Sequence, residues 1–276
     1  MQNGANSEHA EVDGTWQHWY ESGEGEKDVI LIHGIPTTPH LWRYVVPRLR
    51  GAKVHNWEMV GFGDSIPEGE GRDIGVARQA VHLHAWMDHM GIERAVLAGH
   101  DLGGGVAQIL AARHPERCSG LFLTNSIGYD SWPIPSVDAM RAMRPLVRRT
   151  PETLFRRVHA TFIRRGHDDA DRAKESHRIH FRPYHEHGGA EAFAHQIDDL
   201  DTDDTLAVQH RIPRLDVPAR VVWGAADRYQ KVAYGERLAA DLGVILERIE
   251  EGRHFTPEDH PEPVAAAIND IVARAF

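Results

Sequence analysis

The chain has 276 residues, 41% of them apolar and 26% charged, the proportions of a folded globular protein rather than a disordered or fibrous one. It carries 31 basic against 41 acidic residues, a net charge of −10 with its 20 histidines neutral, and that field argues against nucleic acid as a partner. The single Cys118 excludes an internal disulfide and fits a reducing compartment. Residues 1–14 are polar and acidic, without the basic start and apolar stretch of a secretory signal. No apolar run approaches the roughly 18 residues that a membrane span needs. The expectation is a cytoplasmic protein with no membrane partner.

Taken in chain order, residues 15–20 alternate as a strand, and residues 22–26, with Gly23 and Gly25, turn the chain. Val29-Ile-Leu-Ile32 is a continuous apolar run, the mark of a strand covered on both faces. It leads into His33-Gly-Ile-Pro-Thr-Thr38, after which Leu41, Trp42, Val45 and Val46 predict a helix. Residues 53–59 read as a strand ending at Val60-Gly-Phe-Gly-Asp-Ser65. Val76, Ala80, Leu83, Met87 and Met90 have helical spacing, stopped at Gly91. Ala95-Val-Leu-Ala98 is the next buried strand, broken at Gly99-His-Asp-Leu-Gly-Gly-Gly105, with a helix behind it. Residues 120–124 and 219–223 add two strands. A helix over 236–242, a strand over 244–249 and a helix from Pro261 close the chain.

This alternation predicts an α/β protein with a mostly parallel sheet flanked by helices and working loops at the carboxyl ends of the strands. Residues 129–210 differ in character, being rich in Arg, His and Asp and biased to helix, and read as a helical cap inserted over that edge. The expected division is core over 1–128, cap over 129–210 and core again over 211–276.

Gly99-His100-Asp101-Leu102-Gly103 sits between a buried strand and a helix. Its small residues permit a sharp turn that lifts residue 101 above the sheet, and the helix behind it offers N–H groups and partial positive charge to a carboxylate. Asp at a helix start is equally a cap. Asp227, just past the strand over 219–223, and His254, in the loop after the next strand, complete the order nucleophile, acid, histidine. In that arrangement Asp227 fixes the His254 tautomer and stabilises its imidazolium. The backbone at Ile35, with the Leu102 N–H, would supply an oxyanion hole, and Gly34 suits a close backbone approach.

Four stretches resemble the haloalkane dehalogenase and epoxide hydrolase branch of the α/β-hydrolase fold: His33-Gly-Ile-Pro-Thr-Thr-Pro-His-Leu-Trp-Arg43, Gly61-Phe-Gly-Asp-Ser65, Gly99-His-Asp-Leu-Gly-Gly104 and Gly252-Arg-His-Phe255. The resemblance covers roughly residues 15–128 and 212–276. It implies an α/β-hydrolase fold, Asp101 as nucleophile, His254 as base, Asp227 as acid, no cofactor and a small-molecule substrate. A carboxylate displaces a leaving group from sp³ carbon to give an ester that activated water can cleave, whereas serine would leave an ether. The carboxylate therefore points to alkyl halides or epoxides, and the resemblance of the His33 to Arg43 loop to the dehalogenases implies halides, with epoxides as the alternative. A catalytically silent binder on the same scaffold is a third reading.

The resemblance breaks at the leaving-group site. Dehalogenases of this branch hold the halide with a Trp after the nucleophile and an Asn in the His-Gly-x-Pro loop; Leu102 and Ile35 stand here and donate nothing from their side chains. Epoxide hydrolases use two cap tyrosines, for which Tyr129 and Tyr184 are candidates, and the Trp132 indole is a candidate donor. Asn125 is a further polar candidate. His177, His180, His185 and His187 read as a solvated cluster and not as a metal site. Arg141, Arg144, Arg148 and Arg149 read as a solvated cap face. Oligomeric state is not legible in the sequence.

Overall fold

The computed structural model describes residues 6–275. Eight strands form one sheet: β1 (Asn6–Val12), β2 (Thr15–Ser22), β3 (Lys27–Ile32), β4 (Ala52–Trp57), β5 (Ala95–His100), β6 (Cys118–Thr124), β7 (Ala219–Gly224) and β8 (Leu246–Ile249). Their spatial order is β1-β2-β4-β3-β5-β6-β7-β8. β1 and β2 run antiparallel to their neighbours, and β4 to β8 form a parallel block with β3. The crossover direction reverses between β3 and β5, so the loops after these two strands diverge and leave a crevice at their carboxyl ends.

The continuous apolar strands are continuous because both faces are covered. Ile30, Ile32, Leu97, Leu121 and Leu123 point to one side, against α1 (Val76–His89) and α2 (Leu102–Arg113). Val29, Leu31, Val96 and Phe122 point to the other, against α11 (Pro261–Arg274). Each such side chain contributes about 1.5–3 kcal/mol on burial, so these strands hold the loops at their ends in fixed places.

Between β6 and β7 lie the cap helices α3 (Pro135–Ala142), α4 (Arg144–Arg148), α5 (Glu152–Gly166), α6 (Ala170–Glu186), α7 (Gly189–Asp198) and α8 (Asp203–Leu206). The cap is tied to the core by polar contacts. Asp199 and Asp204 accept the Ile74 and Ala77 N–H groups at the start of α1, each at 2.9 Å. α9 (Val232–Asp241) and α10 (Thr256–Asp259) complete the core. Among the described residues no helix is long and apolar enough to cross a membrane.

Two local expectations are corrected. Residues 39–48 form two short 3-10 turns, Pro39–Trp42 and Val46–Arg48, because Pro39 and Pro47 start each turn but prevent an uninterrupted α-helix. The polar start of the chain also hides a strand. β1 pairs with β2 through a turn at Asp13-Gly14, whose φ angles are 50° and 72°, the left-handed pair that a tight hairpin requires and that Asp-Gly supplies.

Candidate active site

β5 ends at His100, and Asp101 follows with φ 53° and ψ −122°. A non-glycine residue held there is strained, and the packing around it leaves no alternative. A Cβ on Gly103 would meet the main-chain oxygens of Ile32 and His33, and one on Gly34 would meet the Asp101 side chain. Both positions therefore need glycine for the turn to approach β3 so closely. The Asp101 side chain makes no capping hydrogen bond to α2, which removes the reading of this residue as a helix cap. Its Oδ1 instead accepts the Ile35 N–H at 3.0 Å.

The order of the sheet brings the other loops to the same edge. His254 Nε2 lies 3.7 Å from Asp101 Oδ2, and its Nδ1 lies 2.8 Å from Asp227 Oδ2. Asp227 is fully occupied: Asn125 donates to Oδ2 at 2.6 Å and the Tyr229 N–H to Oδ1 at 2.7 Å. Asn125, at φ 41°, follows β6, and its own oxygen accepts the Gly224 N–H at 3.1 Å. It thus locks the β6 and β7 loops to each other. His100 braces the ring from below by donating through Nε2 to the His254 carbonyl at 2.9 Å.

Electrostatics follow from these contacts. Burial raises the proton affinity of Asp101, and it is countered by His254 and by the Ile35 and Leu102 N–H groups. Burial alone would lower that of His254, but Asp227 and, more weakly, Asp101 raise it above the ordinary histidine value. Both groups therefore hold a proton more tightly than they would in water, Asp101 because it is buried and His254 because it faces two carboxylates. Such an arrangement can make and break an acyl bond at Asp101 with His254 moving protons.

A cavity of about 40 Å³ lies above these groups, lined by Ile35, Leu102, Ile127, Trp132, Ile134 and Val137 among others. It is far smaller than the roughly 300–1,000 Å³ of most ligand sites. The cap candidates do not supply its polar groups. The Trp132 ring lines the cavity, but its indole N–H donates to Thr205 at 2.8 Å. The Tyr129 hydroxyl donates to Asp241 and the Tyr184 hydroxyl to Gln196, each at 2.6 Å, and neither residue lines the cavity. A buried phenol needs a partner, and each found one within the cap or at its seam with the core. Asn125 also acts away from the cavity, through Asp227.

The histidine expectation changes in part, and the arginines stay at the cap surface. His180 is fully buried against Thr38 and Glu258 at the seam with the core, whereas His185 is exposed and His177 and His187 are half-buried, so the solvated reading fails for His180 alone. Arg144 and Arg148 converge on Asp198 at 2.7 and 3.5 Å. Sequence reasoning missed Phe162, Tyr229 and Gln230, which also line the cavity. The last two stand two and three positions after Asp227, and that proximity to the expected acid was the available signal.

A doubly wound sheet with a strained turn after its central strand, and a histidine–acid pair on the next loops, defines a hydrolase-type site. The chain belongs to the alpha/beta hydrolase fold family, whose match spans residues 28–184. It is 26% identical over 266 residues to haloalkane dehalogenase 2 of Mycobacterium tuberculosis, covering 91% of this chain and 89% of that one. Bifunctional epoxide hydrolase 2 of Mus musculus is 30% identical over 131 residues, 47% of this chain and 23% of that protein. Among solved structures, an alpha/beta hydrolase fold protein from Burkholderia ambifaria superposes with a TM-score of 0.86 at 25% identity, covering 95% of this chain and 97% of that one. The protein is an α/β-hydrolase enzyme.

Proposed function

We propose that the protein hydrolyses the carbon–halogen bond of a short alkyl substrate through an ester on Asp101, with His254 as base and Asp227 as its orienting acid. One observation carries this reading: the Asp101 carboxylate has one oxygen fixed by the Ile35 N–H and the other turned toward His254 beneath a small, mainly apolar cavity. A free Asp101 oxygen attacks saturated carbon, the new C–O bond forms, and the halide leaves with the electron pair of the broken bond.

The ester then changes its neighbour. Asp101 loses its negative charge, and with it goes one of the causes that raise the proton affinity of His254. His254 then releases its proton to solvent more readily, takes one from water, and the resulting hydroxide attacks the carboxyl carbon. The oxygen already held by the Ile35 N–H becomes the oxyanion, stabilised there and by Leu102. Collapse expels the alkoxide, His254 protonates it, and the Asp101 carboxyl then passes its proton to His254, which restores both the carboxylate and the protonated imidazole.

The same nucleophile opens epoxides, but the ring oxygen then needs a proton donor, and the Tyr129 and Tyr184 hydroxyls are committed elsewhere. Small epoxides are therefore the second arm of the test. Short bromo- and chloroalkanes should release halide, and His254→Ala should accumulate an adduct whose added mass maps to the peptide carrying Asp101. A single turnover in heavy-oxygen water should place the isotope in that side chain. Isotope only in the released alcohol would sink the ester mechanism, and turnover of neither substrate class would leave the silent-binder reading standing.

A further inference from the structure

The cavity has a third polar side chain that the mechanism above does not use. Gln230 is 2% exposed and lines the cavity together with Asp101 and His254. Its backbone carbonyl accepts the Trp223 indole N–H at 3.0 Å, which fixes the main chain. Its amide oxygen is buried with no hydrogen-bond partner among the described residues. Buried polar atoms are nearly always paired, and an amide oxygen left unpaired means that no protein donor fixes the orientation of this carboxamide. The terminal torsion of Gln is soft, so the same carboxamide turns either its N–H₂ or its oxygen to an occupant of the cavity.

The other lining groups that hold an N–H or O–H are already committed. Trp132 donates to Thr205, and the Tyr229 hydroxyl donates to the Phe162 carbonyl at 2.7 Å. Leu102 and Ile35 contribute only backbone N–H groups, and these face the Asp101 carboxylate. A halide leaving saturated carbon in an apolar cavity gains negative charge and needs a hydrogen-bond donor to stabilise it, because isolated charge is costly in such surroundings.

Resting on the Asp101 ester reading, we propose that Gln230 is the leaving-group donor, its carboxamide N–H₂ hydrogen-bonding the halide as the carbon–halogen bond breaks and the Asp101 C–O bond forms. The halide carries away the bonding electrons and the amide stays neutral, so no further reactant is needed. This assigns to the loop after β7 a task for which Leu102 and Ile35 have no side-chain donor. It also selects substrates whose acceptor lies at the leaving end, with an apolar short alkyl chain behind it.

The test uses the full chain with His254→Ala, where only the alkylation step is read, as adduct mass against time. Bromo- and chloroalkanes of one chain length are compared with Gln230 intact and with Gln230→Leu. The expected losses are about 100-fold for the chloride and about 10-fold for the bromide, since the poorer leaving group depends more on its donor. Gln230→Met gives a second apolar variant of similar length, and Gln230→Asn should recover part of the chloride rate. Removing an unpartnered amide from an apolar wall should leave the melting temperature unchanged or higher. Equal losses for both halides together with a lower melting temperature would show a merely structural amide and overturn the proposal. Rates within about twofold of the parent overturn it too, leaving the Asp101 ester intact. No adduct from either halide with Gln230 present overturns the ester reading and this one with it.

Discussion

Two clusters of buried carboxylates and imidazoles lie at either end of the short stretch from His254 to Asp259, and they differ in one respect. In the first, Asp227 has both oxygens occupied, while Asp101 has one oxygen held and the other open to a cavity. In the second, on the seam between cap and core, Glu258 meets His180 at 2.9 Å, His167 at 3.1 Å and Arg43. His167 is held in turn by Asp259 at 2.9 Å. Both carboxylates are buried, and burial raises the proton affinity of each. For Asp101 the rise persists; for Glu258 the His167 and His180 hydrogen bonds and Arg43 outweigh it and hold the group well below the ordinary range. The number of donors decides, and only the carboxylate left short of donors faces a cavity, the small one above Asp101.

The largest test exchanges the two. Asp101→Asn should cut turnover by about 10⁴ or more while leaving the melting temperature equal or higher. Glu258→Ala should do the reverse, costing about 3–5 kcal/mol of stability by stranding buried cations, with turnover per folded molecule within about tenfold of the parent. Thermal melts and halide release on the same preparations read both. If Glu258→Ala lost activity as Asp101→Asn does and kept its stability, the seam would be part of the chemistry and the contrast would fail.

Stability against pH sharpens the same contrast. His167 is raised to about 9 in the fold by Asp259 and Glu258, although burial opposes this. A raised folded value means that its contribution is complete below the unfolded value of about 6.5 and is lost as pH rises through about 9. Glu258 is depressed, so its contribution is present above about 4.5 and is lost as pH falls through its folded value. The seam should therefore be strongest between about pH 5 and 6.5, and stability should fall by about 1–3 kcal/mol between pH 6.5 and 9. Denaturant melts across that range should show the fall, and His167→Gln should flatten it. An unchanged slope in that variant would remove His167 as its source.

Asn125 lies between the two extremes. It touches no cavity, yet its amide nitrogen donates to Asp227 and its oxygen accepts from Gly224. Asn125→Ala should therefore lower kcat by about 10-fold, through loss of a positioning bond worth about 1–2 kcal/mol, with KM little changed. A change confined to KM would place Asn125 against substrate.

The core was legible because its loops carry local signals. Gly99, Asp101 and Gly103 report a sharp turn, and the apolar runs report buried strands, so chain order alone put Asp227 and His254 on neighbouring loops. Asp13-Gly14 carried a hairpin signal too, but the polar residues before it masked β1, an edge strand whose residues are mostly exposed. The cap was less legible. Which atom a buried hydroxyl or indole binds depends on contacts distant in sequence, such as Trp132 with Thr205. A tyrosine aimed at substrate and one bound to Gln196 have the same sequence signature. Gln230 was hidden for the opposite reason, since its significance lies in a partner it lacks.

The smallest expected effect separates these two kinds of cap tyrosine. Tyr184 donates to Gln196, and Gln196 donates to the Gly61 carbonyl at 2.8 Å, linking α7 to a core loop. Tyr184→Phe keeps the ring packed and removes only the hydroxyl, leaving the Gln196 oxygen buried and unpaired. The cost should be about 1–2 kcal/mol of stability, with release of halide or diol per folded molecule within about twofold of the parent. A phenol that protonates an epoxide oxygen would behave otherwise: its loss would abolish diol formation, spare halide release and leave the melting temperature nearly unchanged. That outcome would mean that the cap rearranges to bring Tyr184 over Asp101, and the division between a reactive core and an anchoring cap would have to be redrawn.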